Sequence, residues 1–291
     1  MKKLSFYKRI NVNSQSASRV LTSKICGKGC AAKRGQSTEK FLSSTTLIWI
    51  FFAYCATLNA QQIPNFPNSL FLNVSVAAQM PAGDLTNRFG FSMGTGTGVE
   101  YYWANKNLII GTEAYYLFGQ TVKEDVLAFA RTAEGEILGD IGSYAQVDLR
   151  QRGFYWGGHI GRFFKTNQGG NQIGGLRVTL GGGFLQHYIR IQDNQNVSIA
   201  QLAGAYRAGY DRLTNGFALN QFIGWQVLSR NKRINFHIGL ELTEGFTKNR
   251  RGFNFDTGLR DDKNRLDMLY ALKLGWMLPF WSAQKASEIE Y

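Results

Sequence analysis

Beyond residue 55 the chain has no cysteine. Cys26, Cys30 and Cys55 all precede residue 60, which excludes disulfides and thiolate metal sites from everything that follows. Cys26 and Cys30 have the close spacing of a metal knuckle, but no second pair exists to complete a four-ligand set. A long apolar run is also missing: no stretch reaches the roughly 20 residues that a membrane-spanning helix requires. Acidic residues are almost absent from the first 60 positions, where Glu39 is accompanied by ten Lys or Arg. That segment therefore carries +9 of the formal +13, leaving +4 for the rest. Nucleic acid, the partner a strongly basic chain first suggests, is set aside because most of the excess lies in a segment expected to be removed.

That segment reads as an export signal. TLIWIFFAYCATL, residues 46–58, has the length of a signal's apolar region and is too short to cross a bilayer as a helix. Basic residues precede it and the small residue Ala60 follows, so cleavage is expected near Ala60, with 1–60 as signal and 61–291 as the exported domain. The basic region is long, and either a downstream start or an extended signal accounts for it. Acylation at Cys55 is disfavoured because Tyr54 is bulky where a small residue is needed.

From Ser69 onward the hydrophobic period is two, the period of a strand. Eight segments alternate. The first sets Leu70, Leu72, Val74, Val76, Ala78 and Met80 on one face; the last does so with Met268, Tyr270, Leu272, Leu274, Trp276 and Leu278. Between them the same pattern runs through segments around Met93–Trp103, Leu108–Phe118, Phe154–Ile160, Leu176–Phe184, Phe217–Val227 and Ile234–Leu242. The apolar face carries almost no charge; the other carries glycine, small polar residues and isolated charges. A soluble β-sandwich or lipocalin-like barrel also alternates, but eight such strands with recurring aromatic residues at their ends favour an all-β, transmembrane, antiparallel up-and-down β-barrel. Tyr101, Tyr102, Trp103, Tyr115, Tyr116, Phe118, Phe163, Phe164, Trp276, Phe280 and Trp281 are the expected girdle. Connections alternate between short turns and the long stretches 120–146, 192–212 and 247–264, the arrangement of short periplasmic turns and long extracellular loops. The spacing in 122–131 and 199–210 predicts a short helix in each of two loops.

Pro81-Ala82-Gly83-Asp84-Leu85, the run from Gly94 to Tyr101, Gly216-Phe217-Ala218-Leu219-Asn220-Gln221, residues 246–253 and Arg265-Leu266-Asp267-Met268-Leu269-Tyr270 resemble small outer-membrane β-barrel proteins of the Bacteroidota. The resemblance covers most of 69–281 and is architectural. It implies outer-membrane localisation and, because some barrels of that group serve type IX secretion, a role as a secretion accessory. The chain departs from the usual barrel ending: a ten-residue tail follows Phe280-Trp281.

The strand faces place Glu100, Glu113, Glu241, Arg177, Lys273, His159 and His237 inside. An eight-stranded barrel is too narrow for a water channel, so these charges must pair; a charged plug is the expectation, with a narrow solute or ion pore as the alternative. For catalysis, His187 and Asp261-Asp262 near the outer rim are the available groups for an enzyme acting on lipid or peptide, but no Ser-His-acid set falls at matched heights. The glycines of 94–98 lack the strand-turn-helix setting and lysine of a phosphate loop. Loops on a rigid scaffold commonly carry binding, and Lys248, Arg250, Arg251, Phe253, Phe255 and Arg260 form a basic, aromatic loop suited to lipopolysaccharide or another envelope protein. The expectation is a non-catalytic outer-membrane barrel, with no metal or cofactor, in contact with outer-membrane lipid, acting through its loops as a structural or accessory component.

Overall fold

A computed structural model describes residues 67–139, 142–169, 172–193, 199, 202–229 and 235–282. The expected signal, 1–60, and its cleavage site lie outside the described residues, as does the C-terminal tail from 283. Eight long strands close into an antiparallel barrel: β1 (Ser69–Gly83), β2 (Ser92–Trp103), β3 (Leu108–Gly119), β6 (Val147–Gly169), β7 (Gln172–Asp193), β8 (Thr214–Ser229), β9 (Phe236–Asn249) and β10 (Asn264–Ser282). A two-stranded ribbon, β4 (Ile137–Leu138) with β5 (Tyr144–Ala145), sits in the loop between β3 and β6. Every barrel strand pairs with its predecessor and successor, and β10 returns to β1 with Val74 opposite Trp276 and Gly83 opposite Asp267. The up-and-down barrel read from the alternation is therefore the observed fold. No described helix is long and apolar enough to cross a membrane.

Pleating sends successive side chains to opposite faces, and the barrel is inside-out relative to a soluble one. Along β1, Leu72, Val74, Val76 and Met80 are exposed while Asn73, Ser75 and Gln79 are buried. β10 repeats the pattern, with Leu272, Leu274 and Trp276 outside and Lys273 inside. Closure leaves no strand edge around the wall. The narrow lumen places special demands on the residues facing the largest side chains. A Cβ at Gly275 would lie 2.2 Å from Cε1 of His237, and one at Gly111 would lie 2.8 Å from Cγ of Glu100; both positions have room for nothing larger than glycine.

Three expectations need correction. Tyr102, Tyr115 and Phe163, expected in the aromatic girdle, are buried in the lumen, because the parity of their strands, not their aromaticity, decides their direction. Two strands far outrun the alternating segments read around Phe154–Ile160 and Leu176–Phe184: β6 has 23 residues and β7 has 22. The loop helices are shorter than the spacing implies and 3-10 in type, three residues at Ala128–Ala130 and six at Gly204–Gly209. In the first, Asp125 accepts from the Leu127 amide at 3.0 Å and pairs with Arg131 at 2.6 Å, a local bonding pattern that competes with helix propagation.

Candidate functional site: a charged lumen beneath joined loops

The interior is stacked in layers. At the end bearing the short turns, Phe71, Tyr102, Ala104, Ile109, Phe163, Ile173, Leu228 and Met277 form an apolar floor. Tyr102 meets Phe163 edge-on at 6.2 Å, and its hydroxyl donates to Asn107 Oδ1 at 2.9 Å.

Above the floor all seven interior charges expected from the alternation converge. Arg177 grips Glu100 with both terminal nitrogens, each at 2.8 Å, the bidentate geometry that gives guanidinium–carboxylate pairs their strength. Asn73 donates to the same carboxylate at 3.3 Å, and His159 Nε2 lies 3.4 Å from it. Lys273 bridges Glu241 at 2.6 Å and Glu113 at 2.9 Å, and its ammonium lies 4.6 Å from the centre of the Tyr115 ring. Phe222 separates the two clusters: Arg177 and Lys273 each lie 5.6 Å from its ring centre. His237 abuts its edge at 5.3 Å. All seven side chains are buried. The layer is a pair of adjacent ion clusters, with polar residues Asn73, Tyr115 and Gln226 that charge-based reading passed over. Their signal was available: each sits at an inward position of its strand.

A second apolar layer closes the loop end, where Leu117, Tyr155, Leu185 and Ile189 from the wall meet Leu85, Phe89, Val126 and Leu127 from the loops. His187 lies here, directed inward rather than to the outer rim. Its Nε2 is 2.8 Å from Asp267 Oδ2, which also accepts from Thr247 Oγ1, and Phe89 packs edge-on against it at 5.6 Å. The carboxylate stands between hydroxyl and imidazole, whereas a hydrolytic relay needs the imidazole between nucleophile and acid. The other expected partner, Asp261, instead binds Arg88 at 3.1 Å and Arg265 at 3.3 Å, while Asp262 pairs with Arg260.

Over this lid a single carboxylate joins the loops. Glu124 receives Arg88 at 3.0 Å on one oxygen and Arg212 at 2.8 Å on the other. Arg88 reaches on to Asp261, and Arg212 to Asp256 at 2.6 Å. Residues from all four loop-end connections, the short one between β1 and β2 included, are thereby tied together. Burial of the Arg212 guanidinium opposes its charge, but the bonds to Asp256 and Glu124 prevail and hold it above its ordinary value. Neither arginine was singled out from sequence, because each lies alone in a loop without periodicity.

On the solvent side of that network five rings from three loops make a continuous platform. Phe129 stacks on Tyr210 with centres 5.7 Å apart, Tyr210 meets Phe255 edge-on at 5.7 Å, and Tyr206 and Phe253 flank Phe255 at 6.3 and 6.4 Å. Phe129, Tyr206, Phe253 and Phe255 are 44–63% exposed. The loop residues expected to bind thus separate into three groups. Phe253 and Phe255 belong to the platform. Arg251 is held by Asp211 and Arg260 by Asp262. Lys248 ends β9 on the outward face, and Arg250 donates to Asn215 beside it. The platform is aromatic, and the loop arginines Arg251 and Arg260 are already paired with carboxylates.

No protein-family model matches the chain, and no curated protein resembles it closely enough to count as a relative. Among solved structures, Neisserial surface protein A is similar at 9% identity and a TM-score of 0.39, covering 72% of this chain and 97% of that one. Ail, the attachment invasion locus protein of Yersinia pestis, solved with the heparin analogue sucrose octasulfate, gives 11% identity and 0.36 over 73% of this chain and 100% of its own. The Escherichia coli outer-membrane protease OmpT gives 8% and 0.27 over 77% and 99%. At these values the likeness carries no assignment of activity.

Proposed function

We propose that this protein is an outer-membrane anchor whose lumen is closed and whose loops present a docking platform to another envelope protein. The observation that carries the reading is the inversion of burial: the wall exposes Leu, Val, Ile, Phe and Trp around the barrel while charged side chains fill its centre. In water such an exterior is an aggregation hazard; in hydrocarbon it is the favourable arrangement, because a closed barrel also satisfies its backbone hydrogen bonds internally. The short turns then face the periplasm and the platform faces outward. The apolar floor, the ion clusters and the loop lid support a non-conducting, non-catalytic role. An exposed aromatic cluster on loops held by ion pairs is the kind of rigid anchor that interface hot spots use. An accessory role in a secretion assembly is the specific form of this reading that the family resemblance suggests.

The experiment is purification of the full chain in mild detergent alongside a Phe253→Ser/Phe255→Ser variant, with co-purifying envelope proteins identified in both. A defined partner is expected with the native chain and lost with the variant. Recovery of the native chain alone would count against the docking role. Membrane embedding is checked separately by heat-modifiable gel migration and by insertion into neutral-lipid vesicles.

A further inference from the structure

The outer wall is largely apolar at mid-height but carries several cations at its loop end. Immediately above Phe154 on β6, the next two outward positions are Arg152 and Arg150, about 7 and 13 Å further along the strand at ordinary strand rise. Across the β6–β7 ladder Arg152 faces Tyr188, and Arg150 faces Arg190 directly. Inward neighbours confirm the direction: Gln151, Ile189 and Ile191 are buried. Lys248 near the end of β9, and Arg250 just beyond it, stand above the exposed Phe246. Asn215 on β8 lies between them, accepting from Arg250 and donating to Gln186 at 3.4 Å. Five cations thus follow one arc over four adjacent strands.

The arc is under-neutralised. Asp148 reaches Arg150 at 3.5 Å, and among the described residues no ion pair is formed by Arg152, Arg190, Lys248 or Arg250. Like charges directly opposite on a sheet face repel, so Arg150 and Arg190 are an unfavourable cross-strand pair unless an anion lies between them. The opposite wall lacks any such feature: the corresponding outward positions of β1, β2, β3 and β10 hold Met80, Ala82, Phe91, Phe118 and Asn264. Screening of lipid charge in general would call for cations at outward wall positions on every strand; their concentration along the β6–β9 wall points to a located ligand.

We infer that the Arg150–Arg152–Arg190 arc, with Lys248 and Arg250 at its flank, binds the phosphate groups of an anionic outer-leaflet glycolipid whose acyl chains lie against Phe154, Phe184, Phe217 and Phe246. The inference rests on the membrane reading above. Lipid, rather than free phosphate, is favoured because the cations begin one outward position above the apolar belt. Guanidinium groups suit phosphate through planar, paired hydrogen bonds.

The test uses the full chain in zwitterionic detergent, titrated with bisphosphorylated lipid A and with the same lipid stripped of both phosphates, bound lipid being read by native mass spectrometry. At least about ten-fold tighter binding of the phosphorylated form is expected, a difference of about 1.4 kcal/mol. Arg150→Gln/Arg152→Gln/Arg190→Gln should abolish the preference while heat-modifiable migration stays unchanged. Equal binding of the two lipids, or an unchanged preference in the variant, would overturn the inference. Complete displacement by inorganic phosphate would overturn the lipid assignment in favour of a free-anion site. Failure of the membrane reading looks different: the chain would remain in solution without detergent and would not enter neutral-lipid vesicles.

Discussion

The ion clusters at mid-barrel and the ion network in the loops are built from the same parts, cations shared between carboxylates, yet they sit in different surroundings. Around Arg177 and Lys273 every charged side chain is 5% exposed or less. In the loop network the guanidiniums of Arg88 and Arg212 are equally covered, but Glu124 is 31% exposed and Asp256 15%. Burial of both partners, not the number of ion pairs, sets what losing one of them costs. A dry pair cannot replace its missing partner with water, whereas a rim carboxylate can.

The largest effect is expected at the centre. Lys273→Met leaves Glu113 and Glu241 facing each other without a cation and should cost about 3–5 kcal/mol, the range for a broken buried pair. Its measure is the urea midpoint of the barrel in detergent micelles. A loss no greater than that of a loop variant would break the comparison. Arg212→Met should cost about 1–3 kcal/mol, because Glu124 and Asp256 lose charged hydrogen bonds but gain water. It should also raise hydrogen exchange in residues 120–130 and 250–260 without altering exchange in the strands. Arg260→Gln, which removes a pair 70% and 54% exposed, should change stability by less than about 0.5 kcal/mol; a larger change would show that exposed pairs on this rim act as a network.

The two layers also differ in how much of them was legible in the sequence. Period-two alternation places Glu100, Arg177 and Lys273 on the inward face with no further information, and the closed lumen then brings them together. Which charge meets which is set by strand register and barrel closure: Glu100 and Arg177 lie 77 positions apart, and nothing local relates them. The same parity, applied strictly, sends Tyr102 and Phe163 inward; treating them as girdle residues let aromatic character override it. The loops have no period to read. Val126 and Leu127 have helical spacing with Val122, but the spacing reflects burial under the lid rather than a helix. Arg88 and Arg212 acquire their importance only when Glu124 is carried between them. The lysines and arginines of 248–260 were recognisable as a basic group, but their division between paired loop residues and the outer wall depends on where β9 ends.

The anchor role depends most directly on closure of the lumen. Single-channel recording of the purified chain in a planar bilayer, with insertion verified by heat-modifiable migration of the recovered protein, tests it. A silent bilayer is the expected result, since an apolar floor, buried ion clusters and an apolar loop layer are stacked along the lumen. Discrete, reproducible openings from inserted protein would contradict the account and make the barrel a pore.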